Sequence, residues 1–163
     1  MTASLRPRKP SSLRAAPSPV APTPAPVSPA ARAGLGWLHS TRFLTTASRL
    51  DQLPQGDLPE IAFVGRSNAG KSSAINTLAQ QRQLAFASKT PGRTQHINLF
   101  ALGPREAPDA YLADLPGYGY AAVDRGKKLV WQQVMADYLE VRPALSGVVL
   151  MVDSRHGFTP LDR

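Results

Sequence analysis

Eight consecutive residues carry the clearest chemistry in this chain. Gly65-Arg66-Ser67-Asn68-Ala69-Gly70-Lys71-Ser72 fit the spacing of a glycine, four free positions, then Gly-Lys-Ser/Thr. Glycine lets the backbone adopt conformations that a side chain forbids and approach an anion closely. Successive amide N–H groups can then turn inward around a phosphate, reinforced by the start of a following helix. In that arrangement Lys71 reaches the β- and γ-phosphates of a nucleotide and the Ser72 hydroxyl reaches magnesium. A ligand-free glycine turn is the plainer alternative. Context argues against it, because the apolar run Glu60–Gly65 precedes the match and a helical composition follows it.

Phosphate chemistry of this kind also needs a carboxylate near the metal and a backbone amide near the terminal phosphate. Tyr111-Leu112-Ala113-Asp114-Leu115-Pro116-Gly117 offers both, with Asp114 closing an apolar strand-like run and Gly117 three residues on. Alone, an Asp-x-x-Gly spacing is weak, and Asp114 could equally be a turn or cap residue. Its place downstream of the phosphate loop and after a strand gives it weight.

The elements that must position these groups follow from hydrophobic patterning. Glu60–Gly65 reads as a buried strand, and Lys71–Gln83 as a helix with Ile75, Leu78 and Ala79 on one face. Gln95–Leu102 and Asp109–Asp114 read as strands joined through a Gly103-Pro104 turn. Asp124 is a candidate cap for a helix running to about Val141, with Val130, Val134, Tyr138 and Val141 as its apolar stripe and Pro143 beyond its end. Gly147–Val152 reads as a strand buried on both faces, as in a parallel sheet. Alternating strands and helices imply an α/β, three-layer domain.

Composition sets bounds on the rest. The 163 residues suit one domain, 42% are hydrophobic, and there is no cysteine for a disulfide, a thiolate metal site or a thiol nucleophile. A reducing cytoplasm fits that absence. No run approaches the roughly 20 apolar residues of a membrane-spanning helix, so no membrane partner is expected. The net charge of +8 is unevenly placed: residues 1–50 hold seven Lys/Arg and no Asp/Glu, residues 51–163 twelve against eleven. The basic character therefore belongs to the N-terminal segment and says little about nucleic-acid binding by the body. Half of the sixteen prolines precede residue 30. Residues 1–36, rich in Pro, Ala and Arg, are expected to be a disordered extension to a domain over 37–163. An organelle transit peptide shares the Arg-rich, acid-free character, but the proline density argues against its amphipathic helix.

Four segments together resemble a known family. Gly65–Ser73 (GRSNAGKSS), Ser88–Gln95 (SKTPGRTQ), Asp114–Ala121 (DLPGYGYA) and Val149–His156 (VLMVDSRH) are similar, in this order, to the EngB/YihA GTPases. The resemblance, running from about Phe43 to Arg163, implies a P-loop NTPase sandwich of the Ras-like kind, GTP and GDP as ligands, and Mg2+. It implies a bacterial, cytoplasmic protein, expected to be a monomer, that acts in assembly of the large ribosomal subunit and in normal cell division and septation. It places Gly92-Arg93-Thr94-Gln95 in the first switch and gives Thr94, with Ser72, to the metal. Lys71, Thr94 and Gly117 are the expected catalytic contacts. Gly65–Ser72, Gly92, Arg93, Thr94 and Asp114–Gly117 are the expected nucleotide-binding set.

Tyr118 stands where many GTPases carry a water-orienting glutamine. Slow hydrolysis that needs an activator is the consequence, with the pre-ribosome as the natural candidate. Asn68 matches an asparagine that binds potassium in some related GTPases; an asparagine holding the loop by its own hydrogen bonds is the other reading. Arg155 and His156 are not assigned to the site. Arg125, Lys127 and Lys128 form a solvated face or touch ribosomal RNA. Family members also carry an Asn/Thr-Lys-x-Asp motif that reads guanine, and no Lys-x-Asp occurs here. Guanine specificity thus rests on the resemblance, and the chain is expected to be a truncated member with Gly147–Val152 at an uncovered sheet edge. A nucleotide-gated RNA-binding module, a P-loop ATPase or kinase, and an inactive fragment are the competing readings.

Overall fold

The structure is a computed structural model that describes residues 28–85, 96–119 and 125–162. The expected extension up to residue 27, the first-switch residues Gly92, Arg93 and Thr94, the cap Asp124 and the side chains of Arg125, Lys127 and Lys128 lie outside what is described.

Five strands form one mixed sheet: β1 (Arg42–Ala47), β2 (Glu60–Gly65), β3 (Ile97–Leu102), β4 (Ala110–Asp114) and β5 (Leu145–Met151), in the order β1-β3-β4-β2-β5. Helices α1 (Pro29–His39), α2 (Lys71–Leu78) and α3 (Arg125–Val141) flank it. Strands β3 and β4 make an antiparallel hairpin with Asn98 opposite Asp114, through the expected Gly103 turn. Strand β2 runs parallel to β4 on one side and to β5 on the other, pairing Phe63 with Asp114 and Gly65 with Met151.

Strand alternation splits the interior into two cores, one on each face of the sheet. Phe63, Phe100, Leu102 and Leu112 pack with Ile75 of α2 and with Trp37 and Leu38 of α1. Ala62, Val64, Leu99 and Ala113 pack with Val134 and Tyr138 of α3. This is the three-layer α/β arrangement that the patterning implies. At the start of β2 a wholly buried Glu60 accepts from Tyr138 Oη at 2.8 Å and from Arg142 Nε at 2.9 Å, while Arg142 also donates to the Pro54 carbonyl at 2.8 Å.

Several expectations need correction. Residues 29–36 are helix rather than disordered extension: Ser28 caps Ala31 N–H at 3.2 Å, and Pro29 sits at the first turn, where its missing donor costs nothing. Trp37 then anchors α1 by donating from Nε1 to Asp109 at 3.1 Å. Helix α2 stops at Leu78 instead of Gln83, because Gln80 turns left-handed at φ 52 and the Asn76 amide binds both Ala85 N–H (2.6 Å) and Ala85 C=O (2.8 Å), folding the chain back. Leu78 is exposed at 36%, so only Ile75 and Ala79 of the expected face are buried. On α3, Val130 and Val141 are exposed, and Val134 with Tyr138 make the core contact. Strand β5 lies at the sheet edge, as expected, but it is not buried on both faces: Val148, Val149 and Leu150 are exposed.

Candidate functional site

One crossover from β2 through α2 and β3 to β4, and a second from β4 through α3 to β5, bring the C-terminal ends of β2, β4 and β5 to one edge of the sheet. Ligands in open parallel sheets bind at such an edge. At the end of β2, Gly65 has φ 151, and a Cβ there would lie 2.4 Å from the Met151 carbonyl of β5. The backbone of β5 thus closes against the first residue of the loop, and only glycine fits. Asn68 follows at φ 66, a left-handed position that asparagine tolerates better than most residues, which gives it a backbone role independent of any cation. Ala69 N–H donates to the Arg66 carbonyl at 3.1 Å. Gly70, at φ 93, begins α2 without a side-chain cap, leaving the helix start for an external acceptor.

Behind this loop Lys71 is nearly buried and donates from Nζ to the carbonyls of Gly65 (3.0 Å) and Arg66 (3.1 Å). Burial pushes its ammonium below the ordinary lysine range, against the attraction of Asp114. Ser72 Oγ donates to Asp114 Oδ2 at 2.6 Å, linking the first turn of α2 to the end of β4. Burial raises the Asp114 carboxyl above the ordinary range, while the Ser72 hydrogen bond and Lys71 oppose that shift. Its second oxygen, Oδ1, is buried with no hydrogen-bond partner among the described residues. A buried carboxylate oxygen left open beside a serine hydroxyl is a donor set that suits a hard, oxygen-seeking cation such as magnesium. No cluster of three or more acidic, His or Cys ligands occurs among the described residues.

The segment after β4 closes over the loop. Leu115 is wholly buried, and its N–H donates to the Phe63 carbonyl at 3.2 Å. Gly117 is pressed onto the phosphate loop: a Cβ there would stand 2.6 Å from Ser67 Cα and 3.0 Å from Lys71 Nζ. The Ser67 N–H donates to the Tyr118 carbonyl at 2.9 Å, and Arg66 pairs with Tyr118 as an isolated parallel bridge. Lys71, Ser72, Asp114 and Gly117 therefore converge from two separate segments on one uncapped helix start. Arg155 is spent on Asp153, with Nη2 to Oδ2 at 2.6 Å, which holds that carboxyl below its usual range, and His156 is exposed.

One partner in this region escapes the sequence reading. The Tyr118 hydroxyl donates to Asp162 Oδ1 at 2.5 Å. The other oxygen of Asp162 accepts from Thr159 N–H and Thr159 Oγ1, both at 2.7 Å. The signal in the sequence is Thr159-Pro160-Leu161-Asp162, the Ser/Thr-x-x-Asp/Glu spacing of a helix start.

The sequence profile described as "50S ribosome-binding GTPase" matches residues 60–163, most of the chain. Among curated relatives, the probable GTP-binding protein EngB of Acidovorax ebreus is 69% identical over 128 residues, covering 78% of this chain and 59% of that protein. The protein of the same name from Albidiferax ferrireducens is 68% identical, covering 78% of this chain and 62% of its own. This chain thus spans about three-fifths of the length of these curated relatives. Among solved structures, the G domain of the T. maritima FeoB iron transporter matches with a TM-score of 0.37 and 25% identity, over 59% of this chain and 55% of that one. With its phosphate loop, its Asp114–Gly117 segment and the profile match around both, the chain belongs to the 50S ribosome-binding GTPase family.

Proposed function

We propose that the chain binds GTP with magnesium and works as a switch in the assembly of the large ribosomal subunit, with normal cell division depending on that step. The observation that carries the nucleotide reading is the open Asp114 Oδ1 beside Ser72, set under the uncapped start of α2. Gly65 to Ser72 would cradle the phosphates, with Lys71 turning from the Gly65 and Arg66 carbonyls to the β- and γ-phosphates. Ser72 and Thr94 would hold magnesium, with Asp114 positioning Ser72. The ion, when bound, neutralises phosphate charge and orients the terminal phosphate. Gly117 would offer its backbone amide to the γ-phosphate, and Gly92 and Arg93 would carry Thr94 to the site.

Tyr118 gives no group suited to orient an attacking water, since its hydroxyl is committed to Asp162. Hydrolysis is therefore slow until a partner, the maturing ribosomal subunit, completes the site. A potassium ion on Asn68 would add positive charge beside the phosphates. The site of action is the bacterial cytoplasm, and no helix among the described residues is long and apolar enough to cross a membrane.

Titration of the purified chain with fluorescent GTP, with ATP as competitor and Lys71→Ala as control, tests this reading. Binding that GTP displaces and ATP does not, lost in Lys71→Ala, is the expected result. Hydrolysis is then followed in potassium and in sodium buffer. Equal rates remove the cation from Asn68, and a fast unaided rate removes the need for an activator. Absence of binding overturns the nucleotide reading for this chain.

A further inference from the structure

Tyr118 is held at both of its ends, and the two holds lie in different parts of the chain. Its carbonyl accepts from the Ser67 amide of the phosphate loop at 2.9 Å, and its hydroxyl donates to Asp162, beyond β5, at 2.5 Å. Asp162 is itself fixed, because its second oxygen takes two donors from Thr159. The residue before Tyr118 is Gly117, whose missing Cβ would fall 2.6 Å from Ser67 Cα and 3.0 Å from Lys71 Nζ. A phenol anchored to a carboxylate therefore keeps Gly117 seated beside the Lys71 ammonium, where one phosphate oxygen could be shared by the amide and the ammonium. The bond is charge-assisted, and of the hydrogen bonds made by a neutral donor that class is the stronger. Burial, with the Asp162 hydrogen bond and charge adding to it, raises the Tyr118 phenol and keeps its proton in place to donate, while the Asp162 carboxyl is held below its ordinary range chiefly by that same hydrogen bond.

We infer that Asp162 is a positioning residue: through the Tyr118 hydroxyl it seats Gly117 over the phosphate loop and so sets the preference of the site for a triphosphate over a diphosphate. This rests on the nucleotide reading above and adds to it a residue outside the phosphate loop and the Asp114–Gly117 segment. The tether also joins the terminal-phosphate contact to the segment after β5. A partner that grips Thr159–Asp162 would then change how the site receives the terminal phosphate without touching the nucleotide.

The test compares binding of fluorescent GDP and of a non-hydrolysable fluorescent GTP analogue, each with magnesium, to the full chain and to Tyr118→Phe and Asp162→Ala. Tyr118→Phe keeps the ring and removes only the hydroxyl, and thermal melts accompany each variant. Both variants are expected to weaken the GTP analogue about fivefold, the worth of roughly one hydrogen bond, while GDP stays within about twofold. Wild-type binding of both nucleotides with an unchanged ratio in Tyr118→Phe overturns the tether and leaves the nucleotide reading standing. A ratio that moves toward the triphosphate also overturns it, because the tether would then oppose the γ-phosphate. If the wild-type chain binds neither nucleotide, the nucleotide reading falls and the tether with it.

Discussion

Ser72 Oγ and Asp114 Oδ2 stand 2.6 Å apart, tying the first turn of α2 to the last residue of β4 while the other Asp114 oxygen stays open. The pair is the hinge of the proposed magnesium site, and it also supplies the only hydroxyl that satisfies the buried carboxylate among the described residues. Ser72→Ala should therefore cost twice. Magnesium-dependent nucleotide affinity is expected to fall by at least about tenfold. The ligand-free chain is expected to lose about 1–3 kcal/mol, because a buried acceptor loses its donor. Titration with and without magnesium, alongside urea unfolding, separates the two effects.

Asp114 also predicts a pH dependence. Burial raises its carboxyl in the folded chain above the ordinary value of 3.8, so the folded state holds this proton more tightly than the unfolded one. Its contribution to stability is complete below that ordinary value and is lost as pH rises through the raised folded value. Asp114→Asn cannot titrate, and its amide offers a donor where an open oxygen stood. The melting temperature of Asp114→Asn relative to wild type should rise with pH above about 4 and then level off, with magnesium absent. A flat difference from pH 4 to 8 would contradict this.

Gly117 leaves no room for a side chain. Alanine there would bring a methyl carbon to 2.6 Å from Ser67 Cα and 2.7 Å from Ser67 N, both backbone atoms of the phosphate loop. Gly117→Ala is expected to push the segment away from the loop. Affinity for a GTP analogue should fall about tenfold, the value of a charge-assisted amide contact, with GDP binding largely kept. Parallel titrations of the two nucleotides check this.

A buried ion pair stands at the end of β2 away from the phosphate loop. Arg142 and Glu60 are 5% and 0% exposed at their side chains and meet at 2.9 Å, with Tyr138 on the second Glu60 oxygen. Arg142→Met leaves Glu60 buried without its cation and should destabilise the chain by about 3–5 kcal/mol. Adding Glu60→Gln should recover part of that loss, since the orphaned charge is then gone. Urea unfolding of both variants gives the comparison.

Residues whose role is local were legible in the sequence. Gly65, Gly70 and Lys71 announce themselves because a phosphate loop needs fixed residue types at fixed offsets, and the strand at Glu60–Gly65 lies where its apolar run puts it. What depended on distant partners was not legible. Strand β1 shows no strong alternation in Arg42–Ala47, and it becomes a strand by pairing antiparallel with β3. Composition alone does not say whether β5, apolar except for Ser146, lies inside the sheet or at its edge; the edge followed only from the family resemblance. Asp162 is an ordinary helix-start carboxylate until the fold brings Tyr118 to it from 44 positions away. Helix α1 was hidden differently, since Pro29 closes a proline-rich stretch and is also a good first residue for a helix.

The strand order has a consequence for how the chain folds as it is made. Among the described strands, only β3 and β4 are neighbours both in sequence and in the sheet. Their hairpin closes a short loop and can form early, whereas every other strand pairing must close a much longer one. Strand β2, which ends in the phosphate loop, is synthesised before both of its partners. It gains its first neighbour after Asp114 emerges and its second only after Met151. The ties from Glu60 to Tyr138 and Arg142, 78 and 82 positions away, complete just as late. During translation β2 therefore waits with two open edges until β4 emerges and with one until β5 emerges, and that interval exposes an apolar strand to mispairing.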